Sequence, residues 1–415
     1  MTAATAPPVA RERTPLYALI AASAVSLTGN MITIIALPIY ILTETGSATL
    51  TGLVGAFAFA PMVIGGALGG VVVDRIGPRR ASIIADVVSG VTMAAIPLCA
   101  LAGVLPIWLL LALVFASGLL DSPGQSARMV LIPEAAERAG VPVERGVAFM
   151  GAVERGGRLV GAPLAGLLVG LLGGVNALLI DAATFAVSAL IVVLLVPRAL
   201  RARDDGADGE PTQGYWADFR AGIRFVVRDP LLRVMILMVL VTNVFDAAKS
   251  SVLLPVVAST RLGGAAAFGL LVGVMGGGAL VGALLFGAVG HRLPKRYTLV
   301  AAFLVCGPPP FLALAAGLGL PTLIAVYAVC GFAAGAINPL LESAELRRVP
   351  PALRARVFGA TTAGCWAAMP LAALGAGVAV TAVGVTPVLI VVGVAYGVVA
   401  LAPLVGRGWR ILDET

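Results

Sequence analysis

The sequence is a series of apolar runs, each long enough to cross a lipid bilayer and separated from the next by a short polar segment. Crossing the roughly 30 Å hydrocarbon core takes about 20 helical residues. With 60% hydrophobic and 12% charged residues among 415, the chain leaves little room for a large water-soluble domain. Breaks at Gly, Pro and charged residues predict twelve spans, near 15–42, 49–73, 81–103, 106–132, 145–172, 175–196, 231–258, 265–290, 297–317, 320–344, 354–382 and 385–405. The pattern predicts an all-α membrane protein.

A single long polar stretch divides these spans into six and six. Its centre is typical of a flexible linker, and its YWADFRAGIRFVV part predicts a helix lying on the membrane surface. The predicted organisation is a tail at 1–14, a six-helix half at 15–196, a linker with a surface helix at 197–230, a second half at 231–405 and a tail at 406–415.

Lysine and arginine are distributed unevenly between the predicted loops. If both termini lie in the cytoplasm, 24 of the 28 basic residues fall on that side, among them Arg128, and Arg261 falls in an outer loop. Short cytoplasmic loops retain positive charge, so this distribution predicts cytoplasmic termini and a place in the bacterial inner membrane. The net charge of +7 is then explained without a nucleic-acid partner.

Several classes of chemistry find no support in the residue inventory. The four cysteines stand alone in apolar runs, and His291 is the only histidine, so no metal site or Ser/His/Asp triad is expected. A phosphate-binding Gly-x-x-x-x-Gly-Lys-Ser/Thr loop is also lacking. We therefore expect neither an enzyme nor a resident cofactor.

Four successive spans of the first half match spans of the second half at a constant offset of 217 residues. Pro38 falls on Pro255, and residues 52–75 share seven identities with 269–292, including Gly52 with Gly269. Parallel repeats of six helices, with a binding site between them at mid-depth, are the architecture of rocker-type secondary transporters. A repeat kept for structure alone is the less favoured alternative.

The loop between the second and third spans combines glycines, one acid and basic residues. They are Gly70, Asp74, Arg75, Gly77, Arg79 and Arg80. This loop resembles the signature of the major facilitator superfamily, and with twelve spans and an internal repeat the resemblance covers the whole chain. The resemblance implies that these residues form a conformational gate between the halves, in which Asp74 acts as a latch. The second copy of the loop is degenerate, since His291 replaces the acid.

The fifth span carries small residues and a proline at Gly157, Gly161, Pro163 and Gly166. Small residues four apart permit close helix crossing, and the proline is expected to kink the helix. The pattern is similar to the motif of the superfamily's exporters. Together with the sixth span around Asp181, it resembles the branch of macrolide and enterobactin-type siderophore exporters. This resemblance implies proton-driven export of amphiphilic small molecules by a monomer.

Charged residues inside the spans are the candidates for proton coupling, because an ionised group at mid-bilayer normally faces a cavity or a partner. Glu154 and Arg158 can pair four residues apart, as can Asp246 and Lys249 at a spacing of three. Each pair could also be a permanent structural ion pair. Asp121 is expected to have no local partner in its own helix and is the stronger candidate for a titrating or substrate-facing acid.

Two further sets of residues have predicted positions. Acids near helix ends at the cytoplasmic face, expected to be gate or surface residues, are Asp86, Glu342 and Glu345. Plausible cavity-lining residues, on the rule that pockets are apolar with a few polar anchors, are Asn30, Asn243, Lys249, Trp366, Phe57, Phe59, Met62, Phe245 and Met275.

Export is the preferred function, and three alternatives stay open on the sequence. Uptake of a metabolite with protons would need several fixed polar anchors, which are scarce in the second half. Translocation of a lipid or lysophospholipid would need a lateral opening. A receptor or scaffold without turnover would be marked by a signalling domain or a ruined gate loop, and the sequence has neither.

Overall fold

The computed structural model describes residues 12–198, 200, 215–350, 353–405 and 407–414, and within them twelve helices are long and apolar enough to cross a membrane. These helices are α1 (Thr14–Thr45), α2 (Ala48–Ile76), α3 (Pro78–Leu101), α4 (Ile107–Ala139), α5 (Val143–Leu172), α6 (Gly174–Leu195), α7 (Pro230–Arg261), α8 (Ala265–Val289), α9 (Lys295–Ala315), α10 (Leu320–Arg348), α11 (Val357–Val383) and α12 (Val385–Val405). The predicted all-α membrane fold is confirmed.

Local chemistry explains where several helices begin and end. The Ser47 side chain accepts a hydrogen bond from the Leu50 backbone N–H and caps α2, and Asp229 caps α7 in the same way. The sequence predicted the end of the fourth span at 132. The helix instead continues through Pro133 to Ala139 and ends at Gly140, whose φ of 67° favours glycine.

The two halves meet at two close helix crossings, α2 with α11 and α8 with α5. A Cβ atom built on Gly52 would lie 2.4 Å from the carbonyl oxygen of Ala373, and one built on Gly269 would lie 2.4 Å from that of Ala162. Because Gly52 and Gly269 are repeat partners, the two crossings are copies of each other. Both lie at the end of the bundle that carries the α1–α2 loop, which we call the loop end; the opposite end is the terminal end.

Two helices at this interface contain a π-helical turn shortly before a proline. In α5 the turn covers Gly157–Gly161 and precedes Pro163, and in α7 it covers Lys249–Leu253 and precedes Pro255. Proline lacks a backbone N–H, so the regular ladder of hydrogen bonds is interrupted there and the helix is locally widened. The predicted disturbance of α5 at Pro163 therefore takes the form of a π turn.

Within the described residues, two further α-helices lie outside the twelve. The helix predicted in the linker forms at Tyr215–Arg228, and its position on the membrane surface stays a prediction; residues 201–214 of the linker and 1–11 of the first tail lie outside the described residues. The segment expected as a C-terminal tail contains a helix, Arg407–Glu414, that packs on the start of α7. Its Trp409 is buried, which explains why this segment folds.

Candidate functional site

A buried ion pair links α3 to α4 inside the N-terminal half. Asp86 accepts a hydrogen bond of 2.5 Å from Arg128 Nη2, and each side chain is only 1% exposed. Ser188 of α6 donates to the other Asp86 oxygen at 2.7 Å, while Arg128 Nε donates to Ser82 at 3.0 Å. The expectation that Asp86 lies at a helix end, and that Arg128 is a cytoplasmic loop charge, is wrong. The helix α4 extends beyond its predicted end and carries Arg128 inside the bundle.

Asp121 lies on the same face of α4, seven residues toward the loop end from Arg128. It is partly buried, and its Oδ2 atom accepts hydrogen bonds from Asn30 Nδ2 of α1 at 3.1 Å and from Gln125 Nε2 at 2.8 Å. The expectation that it lacks a partner in its own helix is corrected in one respect, because the Gln125 amide is a neutral partner one turn away. Asp121 thus joins α1 to α4 by accepting hydrogen bonds from two side-chain amides.

Asp181 of α6 is completely buried. It accepts hydrogen bonds from the Thr33 hydroxyl of α1 and, at 3.3 Å, from the Thr184 hydroxyl. Asp181 is not among the candidate site residues that the sequence predicted. The available signal was an acid within the strongly apolar sixth span, together with the branch resemblance around it.

These side chains form one unit between α1, α3, α4 and α6, which we call the acid cluster: Asp86, Asp121, Asp181 and Arg128. The cluster has two layers about 10 Å apart. Asp121 and Asp181 form the layer nearer the loop end. Seven residues further along the same two helices, Arg128 and Ser188 contact Asp86 in the other layer. Within the cluster three carboxyl groups face one guanidinium. Among the described residues, no group of three or more His, Cys, Asp or Glu is placed to hold a metal ion.

The C-terminal half has a different arrangement on α7. Lys249 Nζ donates to Asp246 Oδ1 at 2.5 Å, so the predicted pair forms, with side-chain exposures of 7% for the lysine and 40% for the aspartate. Tyr396 of α12 donates to the second Asp246 oxygen at 3.4 Å, and Lys249 Nζ lies 5.2 Å from the Phe311 ring centre. The lysine is therefore engaged by its own pair and by an aromatic face.

The exporter motif of α5 is a packing surface against two helices. Gly161 lies against Met31 and Thr28 of α1, whereas a Cβ on Gly273 of α8 would lie 2.2 Å from Pro163 Cγ. Gly166 forms the close crossing with Gly269 described above. These contacts account for the small residues, while the motif's link with export stays a prediction. A Cβ built on Gly157 would lie 3.6 Å from the Cβ of Leu27.

The predicted gate residues are only partly described. The surroundings of Gly70 and the side chain of Asp74 lie outside the described part of the structure, so the latch stays a prediction. Arg75 and Arg80 are exposed at the terminal end, and Gly77 joins α2 to α3 with a φ of 83°.

Arg79, the remaining gate candidate, is engaged within its own half. Its Nε and Nη2 atoms donate to the carbonyls of Val196 and Val193 at 2.7 and 2.8 Å, at the end of α6. Its repeat partner Arg296 donates in the same way to Pro403 and Leu404, at the end of α12. A cation at a helix C-terminus satisfies orphan carbonyls and opposes the negative end of the dipole.

The other candidates are dispersed. Glu154 is exposed on α5, and the side chain of its expected partner Arg158 lies outside the described residues, so that pair is untested. Asn243 donates to the Cys365 carbonyl of α11 at 3.0 Å, and Trp366 beside it is partly buried.

Two of the expected surface acids lie on α10. Glu345 is buried and accepts a hydrogen bond from Thr361 at 2.8 Å, which contradicts its expected surface position, whereas Glu342 is exposed, as expected. Arg348 of the same helix pairs with Asp229 at 2.6 Å.

Comparison with known proteins identifies the family of this chain. Residues 19–263 match the family model of the Major Facilitator Superfamily. The chain belongs to the major facilitator superfamily. The predicted family resemblance is confirmed, and with it the prediction that the chain is a secondary transporter and a multi-pass membrane protein.

Relatives and solved structures agree with this family. The chain is 30% identical to the multidrug efflux pump Tap of Mycolicibacterium fortuitum over 90% of its own length and 91% of that protein. It is 22% identical to the uncharacterized MFS-type transporter YfiS of Bacillus subtilis, over 96% and 95% of the two chains. The nucleoside transporter NupG has the same fold, with a TM-score of 0.75 at 13% identity over 96% of this chain and 99% of that one.

Proposed function

We propose that this superfamily member exports amphiphilic small molecules, such as drugs or secondary metabolites, from the cytoplasm in exchange for protons. The observation that carries the proposal is the 30% identity to the multidrug efflux pump Tap across nine tenths of both chains. A second relative with the same name, from Mycobacterium tuberculosis, is 30% identical over 90% of this chain and 88% of its own.

The proposed orientation puts both termini in the cytoplasm. With Arg128 inside the bundle, 23 of the 28 lysines and arginines fall on that side, which supports this orientation. The loop end is then the outer end, where the two glycine crossings and a 2.8 Å contact between the hydroxyls of Thr49 and Thr381 join the halves. The state described here would therefore be closed to the outside.

Asp121 is the proposed carrier of the coupling proton. As a carboxylate it accepts from Asn30 and Gln125, and a proton on Oδ2 would take the place of those donated hydrogen bonds. The link between α1 and α4 then weakens, which allows α1 to move. Coupling follows because the proton changes the relative free energy of the two access states.

The test is accumulation of ethidium in bacterial cells that lack their own major efflux pumps. Cells expressing the wild-type chain are expected to accumulate less ethidium than empty-vector cells, and dissipating the proton gradient should abolish the difference. Higher accumulation in expressing cells would contradict export and favour uptake. Reduced accumulation that survives loss of the proton gradient would refute proton coupling and leave export standing.

A further inference from the structure

Asp181 lies in a site built around its carboxylate. A Cβ atom on Gly29 of α1 would lie 2.4 Å from Asp181 Oδ1 and 1.9 Å from Thr184 Oγ1, so the backbone of α1 closes directly over the acid. The Thr33 hydroxyl holds the other oxygen. The carboxyl group is therefore sealed from solvent by α1, and the side chains that donate to it in the described part of the chain are the hydroxyls of Thr33 and Thr184.

Among the described side chains, the charged groups around Asp181 do not balance it. Helix α6 packs on α1, α3 and α5; the α5 segment there, Ala162–Leu172, has no titratable residue, and α1 offers Asn30 and Thr33 nearby. From α3 comes Asp86, which is another acid and already holds Arg128 at 2.5 Å. From α4 comes Asp121, a further acid, which Asn30 of α1 contacts.

Binding a proton removes this uncompensated charge. An ionised carboxylate buried without a cation is costly, and hydroxyl hydrogen bonds offset the cost only in part. The group stays in place because Thr33 and Thr184 can each turn to accept a hydrogen bond from the protonated acid. The site can thus hold Asp181 with or without a proton.

Helix α1 connects this site to Asp121. Asn30, which donates to Asp121, and Thr33, which donates to Asp181, are three residues apart and lie on neighbouring positions of one helical face. A movement of α1 that releases one acid also moves the donor of the other. Because both acids hold the same face of α1, a proton on one is expected to change how readily the other binds a proton.

We propose that Asp181 is a second proton-binding carboxyl, coupled to Asp121 through α1. The proposal rests on proton-coupled export as the function. Only a proton is gained or lost, and no covalent bond changes. The export cycle then involves two linked carboxyls, one partly accessible and one sealed.

The test is a pH-difference infrared spectrum of the full-length protein in lipid vesicles, which records the carbonyl stretch of protonated carboxyl groups without any substrate. We expect Asp181→Asn to lose one titrating carboxyl band, and Asp121→Asn to shift the midpoint pH of that same band. The matched control is Asn176→Ala, an exposed polar residue of the same helix, which should leave every band unchanged.

Two further variants keep the test decisive if Asp181→Asn fails to fold. Thr33→Val keeps the acid and removes its donor, so it should move the midpoint of the band by about one pH unit, the size of one hydrogen bond to a charged group. Asp181→Glu should retain a titrating band.

A spectrum of Asp181→Asn identical to that of the wild type would overturn the inference, as would a Thr33→Val midpoint that stays in place. The ethidium assay is independent of this readout. Loss of the Asp181 band without proton-dependent efflux would refute the proposed function and leave the proton site standing.

Discussion

In the N-terminal half, three carboxyl groups and one guanidinium lie between α1, α3, α4 and α6, whereas in the C-terminal half one carboxylate pairs with one ammonium on α7. The first arrangement is unbalanced in charge, and the second is balanced. A balanced pair can remain ionised through a transport cycle, but an unbalanced cluster changes its charge most readily by binding protons. The halves therefore share a fold, but the acid cluster and the α7 pair differ in how their charges are compensated.

Repeat partners show where the halves agree and where they diverge. Gly52 and Gly269 form equivalent crossings, and Arg79 and Arg296 form equivalent helix caps. At the same offset of 217 residues, the interior charges have no counterparts of like kind. Asp121 corresponds to Asn338, and Arg128 corresponds to Glu345. The residues at the helix crossings and helix caps are thus shared by the two halves, whereas the buried charged residues differ between them.

The largest expected difference between the halves is in stability. Arg128→Met leaves Asp86 buried without its cation, which should cost about 3–5 kcal/mol of unfolding free energy. Lys249→Met should cost less, because Asp246 is 40% exposed and can be solvated. Thermal unfolding of the purified variants measures both changes. The double variant Asp86→Leu/Arg128→Met should recover part of the loss, and equal effects of the two single variants would contradict the contrast.

A second prediction concerns the crossings that the halves share. Gly377→Ala places a Cβ 2.5 Å from the Ala48 carbonyl oxygen, so it should destabilise the closed loop end by about 1–3 kcal/mol. Disulfide formation between cysteines introduced at Thr49 and Thr381 reports this closure, because their hydroxyls are 2.8 Å apart.

The matched control for this crossing is Gly375→Ala on the same helix, whose Cβ would meet nothing within 4 Å. Gly166→Ala, at the equivalent position of the crossing between α5 and α8, should weaken closure as much as Gly377→Ala. A cross-linking yield reduced equally by Gly375→Ala would show that the close crossing does not hold the loop end together.

The smallest expected effect distinguishes two roles of Arg79, as a cap of the α6 helix end or as part of the predicted gate. Arg79→Met and Arg296→Met should each lower stability by about 1 kcal/mol, because both lose bonds to helix-end carbonyls. If Arg79 is only a cap, ethidium efflux should fall equally in the two variants, in step with stability. A loss of efflux confined to Arg79→Met would instead support the predicted gate.

The fold and the family could be predicted from the sequence because apolar length, loop charge and a constant repeat offset act independently of packing detail. The α7 pair could also be predicted, since Asp246 and Lys249 are neighbours on one helix. Contacts between residues of different helices could not be predicted from the sequence. Nothing local brings Asp86 of α3 to Arg128 of α4, or Thr33 of α1 to Asp181 of α6.

One error had an identifiable cause in the sequence. Pro133 and the polar residues after it suggested that the fourth span ends near 132, which placed Arg128 at a cytoplasmic boundary and Asp86 beside it. The helix in fact continues to Ala139, which brings Arg128 more than two turns inside. A proline in a membrane helix does not by itself mark its end.

Transport driven by a pH gradient in proteoliposomes tests this difference between the halves most directly, with tetraphenylphosphonium as the probe. Asp121→Asn should abolish gradient-driven accumulation while keeping exchange of the probe without a gradient. The combined variant Asp246→Asn/Lys249→Gln, which removes both charges of the α7 pair, should keep both activities. Gradient-driven accumulation that survives in Asp121→Asn but is lost in the α7 variant would contradict the account and assign proton coupling to the C-terminal half.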